Sequence, residues 1–128
     1  MKIIKFRRPF FKDSYPYEFS HFSEWGVELG NYSFTAPAYN NNCTHKEDQM
    51  FTGLQDRLGK EIYEGDVLQL IKTHAKIFRR EVIFEKGCFG FYDTVGVFYP
   101  LAIPNGNKKD EKQWEVIGNI YENESLLK

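Results

Sequence analysis

The sequence predicts a mainly β fold, on three observations. Phe, Trp and Tyr make up 17% of the chain, with 12 Phe and 8 Tyr, and such side chains fit a pleated, half-buried surface better than a helix face. The apolar segments are short, and glycines punctuate them at bends. Sustained helical periodicity is missing. Together these predict a small SH3-like or strongly bent β-barrel in the C-terminal part, an N-terminal β-meander and few short helical turns. A length of 128 residues suits one domain, with 1–48 and 49–128 as its natural subdivisions.

Element by element, Lys2–Arg7 reads as an opening strand that Pro9 ends or confines to an edge, because proline cannot donate to a ladder. Tyr17–Phe22 alternates as a strand. Gly26 then punctuates the chain, and Val27–Leu29 and Tyr32–Phe34 form the arms of a hairpin turning at Gly30-Asn31. The polar stretch Ala36–Asp48 reads as a surface loop, with a helical turn at Lys46–Asp48 capped by Thr44.

The pattern sharpens after Gln49. Met50–Leu54 is a strand, Asp56-Arg57-Leu58-Gly59 a turn and Lys60–Tyr63 the returning strand. In that turn the aspartate side chain starts the reversal and the glycine closes it. Glu64-Gly65-Asp66 is a second bend. Val67–Ile71 is nearly continuously apolar and therefore central. Lys76–Phe84 reads as one longer strand, with Phe78, Val82 and Phe84 on one face. Gly87 turns the chain into Phe89-Gly90-Phe91, where Gly90 invites close backbone approach. Val95–Tyr99 is a further strand stopped by Pro100. Asn105–Asp110 is a loop. Trp114–Tyr121 closes the sheet, with Trp114, Val116, Gly118 and Ile120 on one face, and Asn123 caps a last helical turn at Glu124–Leu127.

The totals exclude several function classes. A formal net charge of −1 supplies no global field toward nucleic acid or acidic membranes. The first eight residues carry no signal-peptide pattern, and no apolar run reaches membrane-spanning length. Cys43 and Cys88, the two thiols, do not make a disulfide framework. A reducing cytoplasm is the expected location.

Two segments carry a family resemblance, Phe51–Val67 (FTGLQDRLGKEIYEGDV) and Glu115–Asn123 (EVIGNIYEN). With Lys5-Phe6-Arg7 near the start, they resemble the YopX family, small proteins encoded by bacteriophages and prophages. Departures are Arg8-Pro9-Phe10, where the family continues Ala-Trp-Asp, and Glu124, where it has Pro. The resemblance implies a mainly β fold, a phage or prophage origin and the cytoplasm of a bacterial host. It carries over no catalytic residue, and no metal or cofactor is expected from the residues themselves. Gly53, Gly59, Gly65 and Gly118 read as turns that specify the fold, with Ile62, Val67, Ile117 and Ile120 filling the core.

Chemical constellations are weak. Glu61, Glu64 and Asp66 flank a bend, but a hard-cation site wants more converging oxygens. Cys43, His45 and Cys88, with His21 or His74, lack the doubled close pairs of a zinc site. Nothing gathers nucleophile, base and oxyanion donors, so the chain is expected not to be an enzyme.

Two basic stretches remain, Lys2, Lys5, Arg7, Arg8 and Lys12, and Lys72, Lys76, Arg79 and Arg80. Lys5, Arg7, Arg8, Lys72, Lys76, Arg79 and Arg80 are the residues expected at any nucleic-acid contact. Small barrels bind single strands with such charge beside exposed aromatics, for which Tyr15, Tyr17, Phe89, Phe91 and Tyr92 are candidates. The competing and preferred reading is a protein-interaction or self-assembling module, since aromatics in excess of one small core leave an exposed patch. Its partner is a phage or host protein or a second copy.

Overall fold

The structure is a computed structural model, and it describes residues 3–28, 42–70, 78–101 and 114–123. The hairpin at Gly30-Asn31, the loops at 36–41 and 105–110, Lys2, Lys72, His74 and Lys76, and the turn at 124–127 lie outside the described residues. The chain divides into two compact units, Met1–Gly53 and Leu54–Lys128.

The first unit is organised by one long strand, β1 (Ile3–Lys12). β2 (Phe19–Glu28) runs antiparallel along one edge, from Ile3 opposite Glu28 to Phe11 opposite Phe19. On the other edge β3 (Cys43–His45) pairs with Phe10–Lys12, and the start of β4 (Gln49–Gln55) pairs with Phe6 and Arg7. β1 thus lies between its partners, an order that differs from a simple meander.

Pro9 does not end the ladder; it lies inside β1, opposite Phe22. Its carbonyl accepts from Lys46 N–H at 3.1 Å, and a strand residue's N and C=O point the same way. The missing donor therefore faces residues 46–48, the interval between β3 and β4 where no ladder pair exists. Those three residues also form no helical turn, and Thr44 sits in β3. Gly26 likewise does not interrupt β2. A methyl there would meet the backbone of Ile4 and Lys5, so glycine permits close strand approach.

In the second unit, the end of β4 forms a hairpin with β5 (Glu61–Tyr63) across the Asp56–Lys60 turn. β6 (Asp66–Leu70) is the central strand of a three-stranded antiparallel sheet, between β11 (Trp114–Asn119) and β7 (Phe78–Glu81). A second antiparallel sheet has β9 (Cys88–Tyr92) between β8 (Ile83–Glu85) and β10 (Phe98–Pro100). Ile62, Leu68, Val82, Leu101 and Trp114 make the buried core, with Leu54, Phe89, Phe91 and Val116 packed on it. This is the mainly β, small-barrel arrangement expected for the C-terminal part, and no helix occurs among the described residues.

Three strand readings are corrected. Lys76–Phe84 is not one strand, because the chain changes sheets at Val82. Val82 N–H donates to Asp66 O at 2.9 Å, and its carbonyl accepts from Gly65 N–H at 2.7 Å. Val82 is buried while Phe84 is half exposed, so the two do not share a buried face. Val95–Tyr99 is mostly a turn, with the strand limited to Phe98–Pro100. β11 carries a register shift between Val116 and Gly118, which breaks the single-face alternation expected from Trp114 to Ile120. Consequently Ile117 and Ile120 are only partly buried, whereas Ile62 and Val67 are fully buried.

The glycines divide similarly. Gly59 and Gly65 close turns with φ near +84° and +86°, the left-handed region that glycine enters at least cost. Gly53 and Gly118 lie inside strands instead. A methyl on Gly118 would run into the Asn123 side chain, and that contact explains the Gly-Asn…Asn spacing. Asn119 Oδ1 accepts from Tyr121 and Glu122 N–H at 2.9 and 3.0 Å, and Asn123 Oδ1 accepts from Asn119 N–H at 3.4 Å.

Candidate functional site

Strand alternation splits the first basic stretch. Lys5 and Arg7 project from one face of β1, and Arg8 from the other. Arg7 is buried, 8% exposed, with Nε donating to Gln49 Oε1 at 2.8 Å and its guanidinium 4.0 Å from the Phe22 ring centre. Arg8 makes a bidentate pair with Asp48, Nε to Oδ1 at 2.8 Å and Nη2 to Oδ2 at 2.9 Å. Trp25 Nε1 donates to the same Oδ1 at 3.2 Å. Chiefly through the Arg8 hydrogen bond, the Asp48 carboxyl is held below its ordinary value and the Arg8 guanidinium above its own. Lys5 lies 3.7 Å from Glu24 and over the Phe51 ring. These side chains act as internal struts of the first unit.

The other candidates also resolve into structure. Asp66 is buried and accepts from Tyr63 N–H at 2.8 Å, pinning the β5–β6 bend. The Glu81 carboxyl is raised above its ordinary value by burial and, secondarily, by the charge of Glu64. His21 stacks on Phe10 and His45 meets the same ring edge-on. Among the described residues no three His, Cys, Asp or Glu side chains are grouped to hold a metal ion.

The surface that stands out is the β8–β10 sheet of the second unit. Five of the nine exposed large apolar side chains among the described residues belong to it and its turn: Phe84, Tyr92, Val95, Val97 and Tyr99. Its two hairpins follow from local chemistry. Lys86 and Gly87, both at positive φ, form the two-residue reversal whose twist matches that of the flanking strands. At the other end Asp93 Oδ1 accepts from Val95 and Val97 N–H at 3.0 and 2.8 Å. Gly96 closes this second turn at φ +88°. Val95, 81% exposed, is held at its tip.

Gly90 sets the sheet's shape. A methyl there would strike the Tyr99 carbonyl and the Phe98 ring, so the absent side chain lets the Phe98 ring lie over Gly90, whose cross-strand partner is Pro100. Tyr92 meets Phe98 edge-on at 5.5 Å, and its hydroxyl donates to the Glu85 carboxylate.

Beside this sheet is a cleft of about 270 Å³, lined by Arg79, Arg80, Glu81, Ile83, Tyr92, Asp93 and Thr94. Consecutive strand residues point to opposite faces, yet 79–81 and 92–94 each line it as a run. The cleft thus lies beside β7 and the Asp93 turn. Arg79 Nε donates to Gln69 Oε1 at 3.2 Å, and Arg80 Nη1 to the Arg79 carbonyl at 2.8 Å. The Asp93 carboxyl is held below its ordinary value, above all by the Val97 N–H; burial opposes this next, and the Val95 N–H, the Tyr99 hydroxyl and the Gly96 N–H lower it further.

Of the residues singled out from the sequence, the structure brings Arg79, Arg80 and Tyr92 to one cleft. Tyr15 and Tyr17 pair edge-on at the β1–β2 turn, in the first unit, and Phe89 and Phe91 pack on the core. Thr94, Asp93 and Val95 were not singled out. The Asp-x-x-Gly spacing at Asp93–Gly96 repeats that of Asp56–Gly59 and is the signal that finds them.

Residues 23–128 match the family described as YopX protein. The match begins after β1, so the Lys5-Phe6-Arg7 likeness lies outside it. Among solved structures, the chain is similar to protein EF1440 from Enterococcus faecalis, at 24% identity over 100% of both chains with a TM-score of 0.55. That likeness concerns the fold. Comparison with curated proteins gives no match.

Proposed function

This chain belongs to the YopX family, and we propose that it is a non-enzymatic interaction module. In this reading it is a phage- or prophage-encoded accessory protein of the bacterial cytoplasm, binding a phage or host protein or a second copy of itself. The observation that carries the reading is the gathering of Phe84, Tyr92, Val95, Val97 and Tyr99 on one small sheet. By strand alternation Phe84 and Tyr99 share one face and Tyr92 lies on the other, with Val95 and Val97 at the Asp93 turn; exposed apolar side chains concentrated in one small element support a partner-surface reading. The shared motif residues support it as well, since Asp56, Gly59, Asp66, Gly118 and Asn119 all serve backbone turns or close packing.

Sedimentation and crosslinking of the purified protein, alone and with lysate of infected cells, test this reading. The expected result is a defined oligomer or one reproducible partner, lost in the Val95→Ser/Tyr99→Ser double variant with its melting midpoint kept. A monomer that captures nothing, or a partner retained equally by the variant, overturns it.

A second reading has its own observation, the two arginines beside Tyr92 in one cleft, a combination used for single-stranded nucleic acid. It predicts binding of a labelled single-stranded oligonucleotide that weakens steeply with salt, as displaced counterions require.

A further inference from the structure

We draw no further inference here: the strongest candidate, the cleft beside β7 and the Asp93 turn, balances two arginines against two carboxylates in its lining, and nothing in the structure commits it to one occupant.

Discussion

The second unit contains the same turn twice, and the two copies have different fates. In Asp56-Arg57-Leu58-Gly59-Lys60 the first residue's N–H donates to the fifth carbonyl at 2.8 Å, and its carbonyl accepts from Gly59 at 3.0 Å. Its Oδ1 accepts from Leu58 and Lys60 N–H at 2.9 and 2.8 Å. Asp93-Thr94-Val95-Gly96-Val97 repeats each bond, at 2.9, 3.3, 3.0 and 2.8 Å in the same order. The difference is the other carboxylate oxygen. Asp56 Oδ2 accepts from Val116 N–H at 2.9 Å, and Asp56 is only 6% exposed. One turn is a strut tying the β4–β5 hairpin to β11, and the other is an exposed tip that presents two valines. Local sequence makes the turn; what packs on its back decides its work.

The comparison can be broken most directly at the aspartates. Asp56→Ala removes the acceptor for three N–H groups, one of them on β11. A stability loss of about 3 kcal/mol follows if each unsatisfied buried group costs on the order of 1–3. Asp93→Ala should lower the melting midpoint only slightly. Equal losses, read from urea or thermal unfolding, would show that the contact with Val116 contributes nothing.

The glycines provide the control. Gly59→Ala and Gly96→Ala each force a methyl into the left-handed region, where nothing else crowds it, at about 1–2 kcal/mol. Because that cost is local, the two should agree closely in the same unfolding assay. A large excess at Gly59 would mean that the strut, and not the turn, sets its penalty.

Two smaller effects depend on pH. The folded Asp93 carboxyl titrates below its unfolded value, so its stabilisation is present above the ordinary carboxylate range and is lost as pH falls through the folded value. Asp93→Asn should flatten that part of the stability–pH curve while lowering stability at neutral pH. Glu81 has the opposite sign. Its folded value is raised, so ionisation disfavours the folded state as pH rises, and Glu81→Gln should raise the melting midpoint at pH 7 and not at acid pH.

How much of this was legible follows from where each cause lies. Asp56, Gly59, Gly65 and Gly90 announce themselves because turn and close-approach chemistry sits in the residues themselves. The turn at Asp93 carries the same signal, but the valines around Gly96 resemble a strand and mask it. Pro9 misled for a tertiary reason, since only the gap between β3 and β4 shows that its nitrogen has no ladder to break. The sheet change at Val82 and the bulge at Ile117 leave period-two patterning without warning. Basic residues could be counted, yet Gln49 and Asp48, which hold Arg7 and Arg8, lie about forty positions away.

The central place of β1 has one further consequence. The family-matched span begins at residue 23, so a protein trimmed to that span would lose the template on which β2, β3 and the head of β4 are laid. Three rows of backbone donors and acceptors would then face water at once, an invitation to pair with neighbouring molecules. The first dozen residues are thus the scaffold on which the strands of their unit are laid, and a chain cut back to 23–128 is expected to self-associate into indefinite aggregates in sedimentation where the full chain does not.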